Sequence, residues 1–273
     1  MSSVRRPHPD LADERDWPDW QFPAVEVRAV RQVTPRTVRV TVGGAQLARF
    51  RPDLPDQHVK VFLPPSGQRR AVVPVGSDWY PALRALADDV RPAMRLYTVR
   101  AHRPEHQEID LDFVVHGEGP GSQWAQQARP GDVIGLYGPV GTYYPRPDDD
   151  WQLLVADETA LPAIAPILAG LPSGGRALVL VEVADAAEEQ PLPSAGEVDL
   201  RWLHRDGIPA GRSTLLLDAV RAADLPAGRG YAWVAAESAA VRAIRRHLLD
   251  VRGFARDDVE FAGYWSHGEV DDL

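Results

Sequence analysis

The spacing of apolar residues changes near residues 148–150, and this change constrains the fold more than any other feature of the chain. Before it, apolar and polar residues alternate in short segments, which is typical of strands with one face against a core. After it, uninterrupted apolar runs alternate with helical patterns, which is typical of a parallel sheet buried on both faces. The sequence therefore predicts a β domain followed by an α/β domain.

The first domain is predicted to be a six-stranded antiparallel β-barrel. Its strands cover residues 24–33, 37–42, 58–63, 95–101, 108–115 and 132–137. A loop with one helical turn fills residues 66–92, and a short helix at 122–128 begins with Ser122 as its N-cap. Short, closely spaced strands of this kind are typical of a small closed barrel.

The second domain is predicted to be an α/β domain built on a parallel sheet. Its strands cover residues 151–157, 177–183, 198–203, 231–237 and 259–264, and its helices cover residues 160–169, 213–222 and 238–252. Strands that alternate with helices form parallel sheets. We place an N-terminal arm at residues 1–20, the barrel at 21–148 and the α/β domain at 149–273.

Composition excludes several classes of protein. The 30 basic and 39 acidic residues leave a net charge of -9, which argues against a nucleic-acid binder. The absence of cysteine excludes disulfides, iron–sulfur clusters and a thiol nucleophile. The eight histidines form no metal-binding motif, so we expect no protein-held metal. No signal segment or long apolar run is present, so we expect a soluble cytoplasmic protein with no integral membrane segment.

The segment R-L-Y-T-V-R at residues 95–100 suits an anionic ligand that carries a planar ring. On a strand, Arg95, Tyr97 and Val99 share one face, because side chains alternate. Arg95 can pair with a phosphate, Tyr97 can pack against a ring, and Thr98 can hydrogen-bond a ring nitrogen. An ordinary exposed strand would show the same pattern, so this segment alone does not identify a site.

A second segment, H-G-E-G-P-G-S-Q-W-A at residues 116–125, joins a strand to a helix through a glycine-rich turn. A helix N-terminus presents unpaired N–H groups, and glycines let the backbone approach a phosphate. A tight connection with a capping serine would look the same. Both segments in one barrel, in this order, favour a nucleotide cofactor.

Together these segments resemble those of the ferredoxin-reductase-like flavoproteins, and in detail those of the siderophore-interacting proteins, which are FAD-containing ferric-siderophore reductases. The matching segments span residues 57–265. They are Q-H-V-K-V-F-L-P (57–64), R-L-Y-T-V-R (95–100), D-F-V-V-H-G-E-G-P-G-S-Q-W-A (112–125), D-E-T-A-L-P-A-I (157–164) and G-Y-W (263–265). The resemblance implies that the barrel binds FAD and that the α/β domain binds NAD(P)H.

The resemblance also implies site residues. Those expected to contact FAD are Arg95, Tyr97, Thr98, Arg100, His116, Gly119, Gly121 and Ser122. Those expected on the NAD(P)H side are Thr159, Ala160, Arg205, Glu237 and Trp265. No side chain is expected to act as a catalytic acid or base, because the flavin carries the electrons.

The implied activity is that of an NAD(P)H:ferric-siderophore oxidoreductase. Hydride passes from the nicotinamide to the flavin, and electrons then pass singly to Fe(III). Iron is released because hard oxygen chelators hold Fe(III) far better than Fe(II). We expect a ferric siderophore as the small-molecule substrate and a monomeric protein. Two alternatives remain open: a general flavin reductase with a protein or quinone acceptor, and a non-enzymatic flavin- or siderophore-binding carrier.

Two departures from the family concern the substrate. Val140 stands in the G-P-x-G turn, and Ser266-His267 follows G-Y-W, where family members often carry basic residues. Lys60, the only lysine, is predicted to lie on the face of its strand opposite the core. We predict that it attracts an anionic ferric chelate, because a flexible ammonium suits chelates of varied shape. A solvated cation with no such role is the alternative.

The choice of nicotinamide donor depends on residues that follow the parallel strands. In ferredoxin-reductase-like proteins an arginine often meets the 2′-phosphate near the end of the third strand, and Arg205 stands there in this chain. This position favours NADPH. The acidic Glu182 and Asp185 after the preceding strand favour NADH. We expect NADPH.

Overall fold

The structure, a computed structural model, describes residues 19–117 and 119–268. The predicted arm at residues 1–20 lies outside the described residues, apart from its last two. The described chain forms two compact units. Residues 19–53 and 57–141 form the first unit, and residues 54–56 and 142–268 form the second.

The first unit is a closed antiparallel barrel, as predicted. Its six strands are β1 (Gln21–Thr34), β2 (Thr37–Gly43), β3 (His58–Leu63), β4 (Ala93–Arg103), β5 (Glu108–Val114) and β6 (Val133–Val140). Around the barrel they follow the order β1-β2-β5-β4-β3-β6. Strand β1 begins three residues before its predicted start, because Gln21 and Phe22 pair with β6.

Alternating side chains fill the barrel. On β3, Val59, Val61 and Leu63 are buried in the interior, and Lys60 lies on the outer face. Burying one such aliphatic side chain contributes about 1.5–3 kcal/mol. The period-two pattern of the sequence therefore determines which side chains of β3 and β4 remain available on the outside of the barrel.

A short helix, α2 (Pro120–Gln127), packs on the barrel through Trp124 and Ala125. It begins two residues earlier than predicted. A proline is well suited to the first turn, because the N–H that it lacks would have no helical partner there. The predicted N-cap, Ser122, is wrong: Gly119 is the N-cap, and Ser122 lies inside the first turn. Another short helix, α1 (Trp79–Arg84), lies in the predicted loop.

The second unit contains a five-stranded parallel sheet, as predicted. Its strands are β7 (Trp151–Asp157), β8 (Arg176–Val183), β9 (Glu197–His204), β10 (Gly230–Glu237) and β11 (Val259–Trp265). They follow the order β11-β10-β7-β8-β9 across the sheet. The carboxyl ends of all five strands therefore lie at one edge of the sheet, where open α/β sheets bind their ligands.

Helices cover both faces of this sheet. They are α3 (Leu161–Gly170), α4 (Leu215–Ala222) and α5 (Ser238–Asp250). Helix α3 packs against one face, and α4 and α5 pack against the other. Burial on both faces explains why the strands read as uninterrupted apolar runs. Within residues 19–117 and 119–268, no helix is long and apolar enough to cross a membrane.

Candidate functional site

The R-L-Y-T-V-R segment lies in the middle of β4. Tyr97 and Val99 pack against the barrel core, while Leu96 on the opposite face is 46% exposed. Thr98 is 4% exposed and pairs with His58 of β3. A bulge follows Val99, and it changes the register between β4 and β5. The predicted alternation therefore holds up to Val99.

Tyr97 connects the two predicted cofactor segments. Its ring centroid lies 4.1 Å from that of Phe113 on β5, and the Phe113 centroid lies 5.3 Å from that of Trp124 on α2. The Tyr97 hydroxyl lies against the backbone of Gly121, so that a Cβ there would overlap it. Burial raises the pKa of Tyr97, so the phenol remains neutral. The sequence predicts Tyr97 and Gly121 as cofactor contacts in two separate segments. In the structure they form one surface.

The Ser122 hydroxyl closes the glycine-rich turn. Its Oγ accepts a hydrogen bond from the His116 backbone N–H at 3.1 Å, and its own hydrogen faces the carbonyls of His116 and Val114 at 3.0 and 3.3 Å. Ser122 is 4% exposed. Its hydroxyl therefore ties α2 to the end of β5, and this role differs from the predicted cap.

The N-terminus of α2 and the side chain of Arg95 both suit an anion. Gly119, the N-cap of α2, provides no side-chain cap, so the first amides of the helix remain open to an external acceptor. Arg95 donates from Nη1 to the Met94 carbonyl at 2.7 Å. It forms no ion pair with any carboxylate in the part of the chain that the structure describes. No carboxylate among residues 19–117 and 119–268 therefore neutralises its charge.

Arg100 lies beside two carboxylates that other arginines already hold. Arg39 binds both oxygens of Asp112, at 2.6 and 2.7 Å. Arg103 binds both oxygens of Asp110, each at 2.7 Å. Burial, and then the charge of Arg39, lower the pKa of Arg100. Among the described residues Arg100 forms no direct ion pair, although both aspartates influence it.

Lys60 lies on the outer face of β3, as predicted. Across the sheet it pairs with Leu96 of β4 and Tyr137 of β6. It is half-buried, and it forms no ion pair with the residues described. The exposed Leu96 beside it places an apolar side chain next to this cation. This arrangement would suit a bulky ligand that carries negative charge.

In the second unit, Asp157 joins three residues that the sequence predicts on the nicotinamide side. Its Oδ1 accepts hydrogen bonds from the N–H and Oγ1–H of Thr159, at 2.9 and 2.5 Å. Its Oδ2 accepts from the Glu237 N–H at 2.9 Å and from the Trp265 indole N–H at 2.8 Å. Sequence reasoning did not assign Asp157, although its place as the first acidic residue after a buried apolar run was a usable signal.

Two further predicted residues have structural roles at this edge. Ala160 is fully buried in the core beneath α3, so only its backbone could meet a ligand. Glu237 caps α5: its Oε2 accepts from the N–H groups of Ala239 and Ala240, at 2.6 and 3.0 Å. Thr159, Glu237 and Trp265 are therefore close together through Asp157, while Ala160 faces the interior.

Arg205, which the sequence predicts to meet a 2′-phosphate, lies in a buried ion-pair cluster. Arg205 is 4% exposed, and its guanidinium binds Glu158 at 2.7 and 2.5 Å and Glu182 at 3.3 Å. Two carboxylates already neutralise this cation, and breaking a buried pair of this kind is costly. The preference for NADPH therefore gains no support from this position. Asp185, whose charge by sequence favours NADH, accepts a hydrogen bond from the Ala187 N–H at 2.9 Å and so caps a short turn.

The barrel with its glycine-rich turn, followed by a parallel sheet with polar groups at its carboxyl edge, defines a ferredoxin-reductase-like protein. Two family models match the chain: the siderophore-interacting FAD-binding domain over residues 26–143, and the siderophore-interacting protein over residues 149–268. The chain belongs to the siderophore-interacting protein family.

Individual relatives agree with this assignment. The chain is 33% identical over 242 residues to the ferric vibriobactin reductase ViuB of Vibrio cholerae, covering 88% of this chain and 87% of that one. It is 28% identical over 253 residues to the NADPH-dependent ferric-chelate reductase of Escherichia coli, covering 90% and 94%. A siderophore utilization protein from T. fusca has a similar structure, with a TM-score of 0.78 and 39% identity over 92% of this chain and 95% of that one.

The buried Asp157 predicts a specific dependence of stability on pH. Burial, and then the charge of Glu158, raise its pKa to about 7. The unfolded value is about 3.9. Between these two values the folded state binds the extra proton, so the free energy of unfolding should fall as the pH rises from about 4 to about 7. Asp157→Asn should remove this contribution, and urea unfolding at several pH values measures it.

The other charged groups around Asp157 have partners of their own, so the control variant is an aspartate at the same edge. Glu158 is paired with Arg205, and Glu237 accepts from α5 and from the His267 N–H at 3.3 Å. Asp185→Asn, which changes an aspartate at the same edge, should keep the wild-type slope. Equal slopes for wild type and Asp157→Asn would contradict the prediction.

Proposed function

We propose that this protein is an FAD-dependent NAD(P)H:ferric-siderophore oxidoreductase that releases iron as Fe(II). The observation that carries the proposal is the surface around Tyr97. There Arg95, which forms no ion pair among the described residues, and the first turn of α2, whose N-cap supplies no side chain, belong to one barrel. The names of the relatives from Vibrio cholerae and Escherichia coli, both reductases of ferric chelates, support the same chemistry.

The residues of the barrel fit FAD. Arg95 supplies a cation that no described carboxylate neutralises, and the open amides of α2 supply donors for a pyrophosphate. Gly121 has no Cβ, so the Tyr97 hydroxyl can lie against the first turn of α2. We assign the isoalloxazine to Tyr97 and Thr98, and the phosphates to Arg95 and the turn that contains His116, Gly119, Gly121 and Ser122.

When bound, FAD supplies the chemistry that links a two-electron hydride transfer to single-electron transfers. The side chains of this protein bind and orient the reactants. Tyr97 is neutral and packed, so it can provide a rigid apolar surface. Asp157 fixes the Trp265 indole at the carboxyl edge of the sheet. In this proposal no side chain accepts or donates a proton to the substrate.

The remaining assignments complete the proposal. We assign FAD to residues 21–148 and the nicotinamide dinucleotide to residues 149–273, with NADPH as the donor because the relative from Escherichia coli is named for it. We propose a monomer that works in the cytoplasm, where nicotinamide dinucleotides supply electrons. Lys60 is the cation proposed to attract an anionic ferric siderophore, and Arg100 is proposed to contact FAD.

An anaerobic absorbance experiment tests the function. The purified protein should carry FAD, NADPH should bleach the flavin absorbance, and a ferric siderophore should then restore it with release of Fe(II). A flavin whose absorbance neither NADPH nor NADH bleaches would show that the protein is a non-enzymatic carrier. Reoxidation by a ferredoxin or a quinone, without reoxidation by ferric chelates, would make it a general flavin reductase.

Arg95→Ala should weaken FAD binding by about tenfold or more, because one charge-assisted hydrogen bond contributes about 1.5–3 kcal/mol. The FAD content after purification and the dissociation constant measured by flavin fluorescence check this. Arg31→Ala, which removes an exposed arginine from β1, is the matched control and should keep wild-type affinity. Full retention of FAD by Arg95→Ala would remove R-L-Y-T-V-R from the site.

Lys60→Glu should raise the apparent KM for an anionic ferric siderophore severalfold, and the effect should shrink as salt is added. Flavin reduction by NADPH should stay near the wild-type rate. Arg31→Glu changes the charge by the same amount on another strand and should leave both half-reactions unchanged. Equal loss in both half-reactions, or no change in either, would disprove the role of Lys60.

A further inference from the structure

The second unit contains a pocket that none of the assignments above uses. Its cavity volume is about 290 Å³. It is lined by the first residues of β7, β8 and β9 and by the segment that follows α4. Pockets for drug-sized ligands typically have volumes of about 300–1,000 Å³, so this one has the size expected for a small metabolite.

The pocket lies at the amino edge of the parallel sheet. Strand β7 runs from Trp151, which lines the pocket, to Asp157 at the carboxyl edge. A strand rises about 3.3 Å per residue, so these two residues are about 20 Å apart. A ligand in the pocket therefore leaves the carboxyl edge, where we propose that the nicotinamide dinucleotide binds, accessible.

The register of the sheet places three polar residues in a row along the pocket. Gln152 pairs with Ala177, so the residues before them, Trp151 and Arg176, lie side by side on adjacent strands. Arg176 pairs in turn with Glu197 of β9. Because neighbouring strands are about 4.8 Å apart, the backbones that carry an indole, a guanidinium and a carboxylate follow one another at this spacing.

The Trp151 indole N–H is a buried donor without an acceptor. Trp151 is 4% exposed, and its Nε1 has no hydrogen-bond partner in the part of the chain that the structure describes. The ring packs edge-on against Phe254, with 6.0 Å between centroids, and lies against Gly230, where a Cβ would overlap it. The ring is thus fixed, although a buried N–H without an acceptor is costly. An acceptor on a bound ligand would remove this cost.

The charged side chains of the pocket have both signs and leave hydrogen-bonding positions for a ligand. Arg176 approaches Glu197 only to 3.9 Å, which is too long for a hydrogen bond. Asp224, from the segment after α4, forms no ion pair within residues 19–117 and 119–268. Asp199, which also lines the pocket, is bound by Arg201 at 2.6 Å. The pocket therefore offers one cation and two carboxylates, those of Glu197 and Asp224.

We propose that this pocket binds a free α-amino acid with an apolar side chain. The ligand carboxylate accepts from the Trp151 N–H and the Arg176 guanidinium, and the ligand ammonium donates to Glu197 and Asp224. The ligand side chain packs on Leu178, which belongs to the apolar core on this face of the sheet. The inference goes beyond the proposed function and does not depend on the flavin.

The arrangement of charges selects this class over simpler ions. An amine without a carboxylate would leave the Trp151 N–H without an acceptor. A carboxylate without an ammonium would place a third negative charge beside Glu197 and Asp224. Only a ligand that carries both groups on adjacent atoms matches the two kinds of polar group that line the pocket.

Thermal unfolding and calorimetry of the full-length protein test the proposal, with L-leucine and L-phenylalanine as probes. Each amino acid should raise the unfolding midpoint as its concentration increases, because a ligand that binds only the folded state stabilises it by mass action. Two analogues of leucine are the controls: 4-methylpentanoate lacks the ammonium, and 3-methylbutylamine lacks the carboxylate. Both should bind about tenfold more weakly than leucine, since each loses charge-assisted hydrogen bonds.

Variants of the pocket test the individual contacts. Arg176→Ala should weaken leucine binding about tenfold, and Asp224→Asn and Trp151→Phe should weaken it severalfold. Arg176 and Asp224 are exposed, so their variants should fold even if Trp151→Phe does not. Arg221→Ala is the matched control: this arginine is exposed on α4, outside the pocket lining, and its loss should leave the affinity unchanged.

Several results would overturn the proposal. One is an unfolding midpoint that neither amino acid raises. Another is equal binding of leucine and either analogue, which would show that the pocket does not recognise both charged groups. Wild-type affinity in both Arg176→Ala and Asp224→Asn, or displacement of NADPH by leucine, would place the amino acid outside this pocket.

Discussion

The contact between Tyr97 and Gly121 is the constraint on which the barrel site depends. Two segments separated along the chain meet there, because the glycine has no Cβ and the tyrosine hydroxyl takes that space. Phe113 packs against the Tyr97 ring and Trp124 packs against Phe113, so the contact is part of the core packing. The position of the α2 N-terminus relative to Arg95 follows from this packing. If the proposed phosphates bind there, this packing fixes the site before the ligand arrives, which lowers the entropy cost of binding.

Asp157 has the corresponding role in the second unit. Each of its oxygens accepts two hydrogen bonds, and the donors come from the turn after β7, the end of β10 and the end of β11. Four donors stabilise the carboxylate, while burial and Glu158 oppose it, so both protonation states are accessible near neutral pH. One carboxylate thus connects the strand ends at which open α/β sheets bind their ligands.

Patterns that repeat along the chain were sufficient to predict the fold. Alternation on β3 and uninterrupted apolar runs on β7 identified both architectures, because burial of one face or two leaves a regular signature. The sequence could not predict the partners of single polar side chains. Serine is a common N-cap residue, but the Ser122 hydroxyl accepts a hydrogen bond from the His116 N–H. Arg205 follows the end of the third parallel strand, and its guanidinium forms ion pairs with Glu158 and Glu182. Partners distant in sequence decided both cases, and a local pattern cannot identify them.

The ion-pair partners of the arginines separate structural cations from candidate functional ones. Because 29 of the 30 basic residues are arginine, residue type alone does not distinguish structural from functional cations. Their partners do: Arg39 and Arg103 are bound by carboxylates that are mostly buried, whereas Arg95 has no described ion pair. A half-buried guanidinium without a carboxylate leaves its desolvation uncompensated, and this cost is retained where a ligand repays it on binding. The cations of β3 and β4 that have no ion pair within the described residues are therefore where we propose that an anionic cofactor or substrate binds.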